Sequence, residues 1–380
     1  MNELGIYIHI PFCKSKCYYC DFISYSNKES EMPLYFSMLL KEINIKSKKI
    51  KKEDVVTTIY IGGGTPSFVS EKYIRNILNE IKKDYNVDEN AEVTIEINPG
   101  AANREKLQSY NNAGINRISI GLQTTENKIL KQISRIHTYE EFLECYNNAR
   151  KVEFKNINVD LMLALPNQTL ENLQQSLRKV IELNPEHISL YSLILEENTR
   201  LEKMVENKEI KLPSEDIERQ MYWKTKEILE QNGYKHYEIS NFAKKGYESK
   251  HNTNCWKQKE YLGFGVAAHS YYNNQRYCNT NNIEQYCKNI EQNKLNANVT
   301  ICEIQAEEEK KKEYMILGLR MIDGINIKEF KNKFVDNPVY IFRNELQKLS
   351  KDGLIEIDLN QIKLTNKGLD FANLVWEEFV

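Results

Sequence analysis

Three cysteines, Cys13, Cys17 and Cys20, stand at C-x3-C-x2-C spacing in Cys13-Lys-Ser-Lys-Cys17-Tyr-Tyr-Cys20. A loop can wrap so that three sulfurs at this spacing converge, and soft thiolates suit an iron–sulfur cluster or zinc. A structural zinc site is normally closed by a fourth Cys or His. The upstream candidate, His9, falls opposite the Ile6/Ile8/Ile10 face of a predicted strand. The spacing therefore favours a four-iron cluster with one open iron, with Lys14 and Lys16 offsetting its negative charge. Cys145, Cys255, Cys278, Cys287 and Cys302 are scattered and read as ordinary thiols, Cys255 being kept open for a reason given below.

These residues need a scaffold. Short β-branched or aromatic runs predict strands at 5–10, 57–61, 92–97, 117–121, 156–163 and 187–191. Segments of helical period lie between them, at 34–51, 71–83, 104–113, 139–152 and 170–183, with Ser70 and Asn103 as N-caps. Strand followed by helix, repeated, implies parallel strands with right-handed crossovers. The fold class is α/β, a partial or complete (β/α) barrel or an open doubly wound sheet. In either case ligands bind at the carboxyl ends of the strands. The cysteine loop, Gly62-Gly63-Gly64, Asn98-Pro99-Gly100, Gln123 and Ala164-Leu165-Pro166 all follow predicted strands, so they face one side.

Three divisions of the chain follow: 1–235 as the barrel core, 236–305 as an extension closing the barrel mouth, and 306–380 as a mostly helical, winged-helix-like unit. The last reads as a packing module, because no basic recognition helix accompanies its hairpin. At 380 residues with 41% apolar and 28% charged residues, the chain has the composition of a globular protein. A formal charge of −2 creates no field that would draw nucleic acid. No apolar run is long enough to cross a membrane and MNELGIYIHIPFCK lacks the pattern of a signal peptide, so a cytoplasmic location is expected.

The cysteine loop, with an aromatic residue before its last Cys, resembles the signature of the radical S-adenosylmethionine (SAM) enzymes. That resemblance implies a partial (β/α)6-type barrel and a [4Fe-4S] cluster on Cys13, Cys17 and Cys20 whose open iron chelates SAM. It further implies SAM contacts from Tyr7, the glycine motif Gly63-Gly64-Thr65, Glu96, Gln123, Arg135 and Asp160, with Leu193 and His269 as weaker matches. The types are chemically apt, since carboxylates accept ribose hydroxyls and an Arg fork pairs a carboxylate.

Within the superfamily the chain is most similar to the HemN-like subgroup, and there to the heme chaperones. The oxygen-independent coproporphyrinogen III oxidases of that subgroup carry one more cysteine where Phe22 stands, and an N-terminal extension before the cluster loop. His251-Asn-Thr-Asn-Cys-Trp256 resembles the H-N-x-x-Y-W segment of the chaperones, with Cys255 where tyrosine is usual. The resemblance implies heme as ligand, with His251 and Cys255 as its candidate contacts, heme-acceptor apoproteins, some of them membrane-associated, as partners, and a reductant protein if SAM is cleaved. Two activities fit: heme transfer, and oxidative decarboxylation of coproporphyrinogen III. A zinc-binding interaction module is the third reading, one that SAM binding would dispose of.

Overall fold

The structure, a computed structural model, describes residues 2–380. The six β-branched runs form β1 (Asn2–Ile10), β2 (Asp54–Gly63), β3 (Val87–Ile97), β4 (Arg117–Gln123), β5 (Ile157–Leu163) and β6 (His187–Ser192). Each pairs in parallel with the next. Parallel neighbours need crossovers, and α1 (Met32–Ser47), α2 (Glu71–Asp84), α3 (Arg104–Asn112), α4 (Asn127–Gln132) with α5 (Tyr139–Lys151), and α6 (Leu170–Glu182) supply them. The helix predicted over 34–51 starts earlier because Pro33 sits in its first turn, where a missing N–H costs nothing. Ser70 and Asn103 cap α2 and α3 as predicted, and Thr138 and Thr169 form capping boxes for α5 and α6.

Side chains on the outer faces of these strands, among them Ile6, Ile8, Ile10, Ile59, Ile61, Ile118, Val159 and Leu161, are fully buried under the helices in one core. Burying each such side chain contributes about 1.5–3 kcal/mol.

After α7 (Arg200–Glu206) and α8 (Glu215–Gln231), the chain adds strands to both edges of this sheet. Beside β6 lie β8 (Asn241–Ala243) and then β7 (Lys235–Glu238). After α9 (Lys250–Trp256), β9 (Tyr261–Phe264) pairs parallel with β1, and β10 (His269–Tyr272), β11 (Gln275–Asn279) and β12 (Val299–Ile304) follow antiparallel. Gly263 makes the β9–β10 turn-back feasible, since a Cβ there would meet the His269 carbonyl oxygen at 2.0 Å. The segment 236–305, expected to close the barrel mouth, supplies strands to both edges of the sheet. Its Tyr261-Leu-Gly-Phe run finds its hydrogen-bond partners along β1, and the segment widens the sheet into twelve strands.

Residues 306–380 bury a second core around Met315, Phe330, Ile362, Val375 and Phe379. It contains α10 (Glu307–Gly318), β13 (Ile325–Asn326), α11 (Ile327–Phe334) and the hairpin β14 (Ile355–Ile357) and β15 (Gln361–Leu364). The unit is tied to the barrel through β7: Ile239 N–H donates to Arg320 O at 3.1 Å, and Ile322 N–H to Tyr237 O at 3.1 Å. Among the described residues no helix is long and apolar enough to cross a membrane.

Candidate functional site

Alternate residues on a strand face opposite sides. The inward positions here read Tyr7 and His9 on β1, Thr58 and Tyr60 on β2, Glu92, Thr94 and Glu96 on β3, Arg117 and Ser119 on β4, Asn158 and Asp160 on β5, His187 and Tyr191 on β6. A closed (β/α) barrel fills this space with layers of branched apolar side chains. A polar interior opening to solvent, where Tyr191 is 41% exposed, is a receptacle.

The cysteine loop leaves β1 at the carboxyl end and is pinned to the glycine turn of β2. Gly64 N–H donates to Ile10 O at 2.8 Å and Thr65 N–H to Phe12 O at 2.9 Å. A Cβ on Gly64 would stand 3.0 Å from Cys13 Sγ and from both the Ile10 and Phe12 carbonyls, so the approach needs glycine. Thr65 Oγ1 donates to Cys13 Sγ at 3.4 Å, and Arg135 Nη1 to Cys17 Sγ at 3.6 Å. Burial pushes the Cys20 thiol up to about 11, and the Cys17 and Cys13 sulfurs add to the rise, as groups sharing one site do.

Such thiols ionise when a metal takes them. His9 supplies no fourth ligand: Nε2 is bonded to Ile23 O at 2.8 Å and Nδ1 to Tyr7 Oη at 3.0 Å, and burial lowers its pKa to about 4. The donor set, three soft thiols with two hydrogen-bond donors aimed at the sulfurs, fits an iron–sulfur cluster with one open iron.

The remaining candidates gather above this loop. Glu96 accepts Tyr60 O–H at 2.9 Å and Gly63 N–H at 3.1 Å. Burial, reinforced by the Asp160 charge, lifts its pKa to about 7 against those two hydrogen bonds. Gln123 and Arg135 meet over Gly121, where a Cβ would lie 3.1 Å from the side-chain nitrogens of both. Arg135 Nη2 donates to Gly121 O at 2.6 Å. Asp160 accepts from Ser119 Oγ at 3.0 Å and Asn158 Nδ2 at 2.7 Å; burial raises its pKa, opposed by these bonds and by Arg117. Tyr7 stacks on Tyr60 with ring centroids 6.3 Å apart. Gln123 (φ 72°) and Ala164 (φ 60°) hold left-handed conformations where β4 and β5 end. Such strain on residues with a Cβ is characteristic of functional sites.

Tyr7, Gly63, Gly64, Thr65, Glu96, Gln123, Arg135 and Asp160 thus share the interior and upper rim of one half-barrel with the cysteine loop. Sequence reasoning passed over Tyr60, Ser119, Asn158 and Arg117, which support Glu96 and Asp160. Their alternation along β2, β4 and β5 was the available signal.

Residues 7–180 match the radical SAM superfamily and residues 306–371 the HemN C-terminal domain. The chain is 37% identical to the heme chaperone HemW of Lactococcus lactis subsp. lactis, over 98% of this chain and 96% of that one. It is 36% identical to the heme chaperone HemW of Bacillus subtilis, over 98% of each. The chain belongs to the HemW family of radical SAM proteins. Membership of the radical SAM superfamily brings a [4Fe-4S] cluster and SAM as cofactors. Among solved structures, coproporphyrinogen III oxidase (HemN) from Escherichia coli superposes with a TM-score of 0.86, covering 100% of this chain and 90% of that one at 23% identity. At that identity the likeness shows the shared fold.

The two candidate heme contacts stand apart from this group. His251 and Cys255 lie one turn apart on α9, which plugs the amino end of the barrel, away from the cysteines. His251 Nδ1 is bonded to Thr58 Oγ1 at 2.9 Å and its ring stacks on Tyr60 at 5.3 Å. Glu92 accepts the first N–H groups of α9, from Lys250 at 3.1 Å and His251 at 3.0 Å. Glu92 precedes Glu96 by four residues on β3, about 13 Å down the strand. Burial, then the Arg117 charge, depresses the His251 pKa to about 4. Burial pushes the Cys255 thiol up to about 11.

Trp256 of the same segment covers the Arg320 guanidinium at 4.4 Å. The segment thus packs as a barrel plug and an inter-unit clasp. His251→Ala, which leaves Thr58 unpaired in the interior, is expected to cost about 1–3 kcal/mol of stability, and a changed heme stoichiometry or Soret position in the same variant would mark His251 as a heme contact. Chemical denaturation and heme titration of the one variant check both.

Proposed function

We propose that this protein is a heme chaperone: it binds heme and passes it to acceptor apoproteins. The observation that carries this reading is 37% identity to a heme chaperone HemW with 98% of the chain aligned. Phe22, standing where the oxidases carry a further cysteine, supports it over porphyrinogen oxidation. The protein is proposed to act in the cytoplasm, where acceptors that are themselves membrane-associated present an accessible face. A reductant protein joins the cycle if SAM is cleaved.

In this proposal Cys13, Cys17 and Cys20 hold the cluster. When bound, the cluster supplies an open coordination position for SAM and a low-potential electron. Gly63 and Gly64 let the backbone approach the methionine amino group, and Arg135 forks onto its carboxylate while neutralising charge at Cys17. Glu96 and Asp160 accept ribose hydroxyls, Gln123 orients the carboxylate end, and Tyr7 and Tyr60 provide an aromatic wall.

Glu96 makes the SAM site pH-sensitive. Because its folded pKa, about 7, lies above the ordinary carboxylate value, the folded state holds a proton that the unfolded state releases. The stability that Glu96 contributes is therefore largest at low pH and declines as pH rises from about 4.5 to 7, by about 1–3 kcal/mol. A hydroxyl prefers the ionised carboxylate, so SAM binding is expected to tighten over the same rise. Glu96→Gln should flatten both profiles, as followed by calorimetry and by thermal unfolding across pH.

The test of the function is anaerobic cluster reconstitution followed by two parallel additions: heme, and coproporphyrinogen III with SAM and a reductant. Stoichiometric heme binding, transfer to an apoprotein acceptor and no protoporphyrinogen support the chaperone. Turnover of coproporphyrinogen overturns it.

A further inference from the structure

A charge taken out of water is costly unless it is paired. Among Asp, Glu, Lys and Arg, six residues of this protein are buried: Glu42, Lys46, Asp54, Glu92, Arg117 and Glu238. Five of them have partners. Glu42 pairs with Lys46 at 2.8 Å, Asp54 accepts Tyr272 O–H at 2.7 Å, Glu92 accepts the first N–H groups of α9, and Glu238 pairs with Arg320. Arg117, 2% exposed, is the exception: its Nε has no hydrogen-bond partner, and its guanidinium forms no ion pair among the described residues.

Arg117 opens β4 on its inward face, beside Thr94, its register partner on β3, whose buried Oγ1 also lacks a partner. After burial, the Arg117 charge is among the influences on the pKa values of Tyr60, Asp160, His187, Tyr237 and His251, which belong to β2, β5, β6, β7 and α9. A charge felt from so many elements stands in the barrel interior. The interior carboxylates are engaged elsewhere: Glu96 by Tyr60 and Gly63, Asp160 by Ser119 and Asn158, Glu92 by α9. Thr94 and Arg117 precede Glu96 and Ser119 by two residues on their strands, which sets them about 7 Å closer to the end that α9 plugs.

Resting on the heme-binding reading above, we infer that Arg117 is the receptor for one propionate carboxylate of the heme, with the Thr94 hydroxyl as a second donor. A guanidinium only donates, and a carboxylate is the acceptor whose two oxygens match its fork. A propionate carries that carboxylate on a short flexible arm, so it reaches a buried cation from a ring held outside. SAM also has a carboxylate, but the residues proposed for it, Arg135 foremost, lie at the carboxyl ends of the strands, beyond Glu96. Arg117 lies on the His251 side of Glu96, which keeps the propionate close to the segment 250–256. The cost of an unpaired guanidinium in the free protein is offset when the carboxylate arrives.

The test crosses the residue with the carboxylates of the ligand. Hemin and hemin dimethyl ester, in which both carboxylates are masked, are titrated into wild type, Arg117→Met and Arg117→Lys after cluster reconstitution. Wild type is expected to bind hemin at least about tenfold more tightly than the ester. Arg117→Met should bind the two alike, and Arg117→Lys, which keeps the charge without the fork, should retain part of the difference. Without heme, Arg117→Met should unfold at a higher temperature than wild type, since an apolar chain replaces an unpaired buried charge; a lower midpoint would mark the arginine as part of the fold and overturn the inference. A preference for hemin that is absent in wild type, or that survives in Arg117→Met, overturns it too and leaves the chaperone reading standing. A loss confined to SAM affinity would assign Arg117 to the SAM carboxylate instead. If wild type binds neither porphyrin, the chaperone reading falls and this site with it.

Discussion

Cys20→Ala protein, reconstituted with iron and sulfide under anoxia, is expected to retain almost no iron and to lose SAM binding with it. The loop offers three thiols, and His9 is no substitute, since both its ring nitrogens are already bonded, to Ile23 O and Tyr7 Oη. Losing a hydrogen-bond partner of a ligand typically costs about 10–100-fold in metal affinity, and losing a direct ligand costs more. Thr65→Ala, which removes only the donor to Cys13 Sγ, belongs in that milder range. Gly64→Ala should fall between them, because its methyl group would press on Cys13 Sγ at 3.0 Å and on two carbonyl oxygens that cannot yield without moving the loop. Iron analysis with visible absorbance, plus calorimetric SAM titration, orders the series. Iron retained at wild-type stoichiometry in Cys20→Ala would remove the cluster assignment.

Arg320→Ala is expected to be the most destabilising substitution remote from the cluster, by about 3–5 kcal/mol. Arg320 pairs with Glu238 through Nη2 at 2.8 Å and Nε at 3.2 Å, and the Glu238 side chain is fully buried. Glu238 also accepts Ser240 N–H at 3.0 Å and Asn241 Nδ2 at 2.5 Å, so the carboxylate is fixed in place and cannot follow a lost partner into water. Trp256 and Trp376 flank the guanidinium at 4.4 and 5.3 Å, so the side chain clasps β7, α9 and the end of the chain together.

Arg320→Lys keeps the charge and loses the planar fork, so only partial rescue is expected. Glu238→Gln with Arg320→Ala, which removes the stranded charge, should recover part of the loss. Thermal unfolding reads the total effect. Limited proteolysis is expected to release the unit at 306–380 earlier in Arg320→Ala than in wild type, and equal rates would refute the clasp.

All six parallel strands and their crossover helices except the short α4 were legible because each carries its own local signal. Apolar runs repeat with the period of a strand, and Ser70 and Asn103 sit where orphan N–H groups need acceptors. The edge strands escaped. β9 is four residues long and Gly-rich, and pairs with β1 some 250 positions away, so nothing in its composition says which backbone completes its hydrogen bonds. In the same way His251 has the residue type of a heme ligand, and a sequence cannot show that Thr58 and Tyr60 already enclose it.

The sequence by itself determined the chemistry: three thiols at loop spacing, glycines at the next strand end, and carboxylates, an amide and an arginine at successive strand ends. It could do so because loop spacing and strand alternation are local geometry. Only the tertiary structure decided which end of the barrel each group occupies, that His251 lies at one end and the cysteines at the other, and that Lys16 and Arg200 border one cavity. Those relations are made by packing and hydrogen bonds between segments far apart in the chain, where burial fixes the side chain and its type does not.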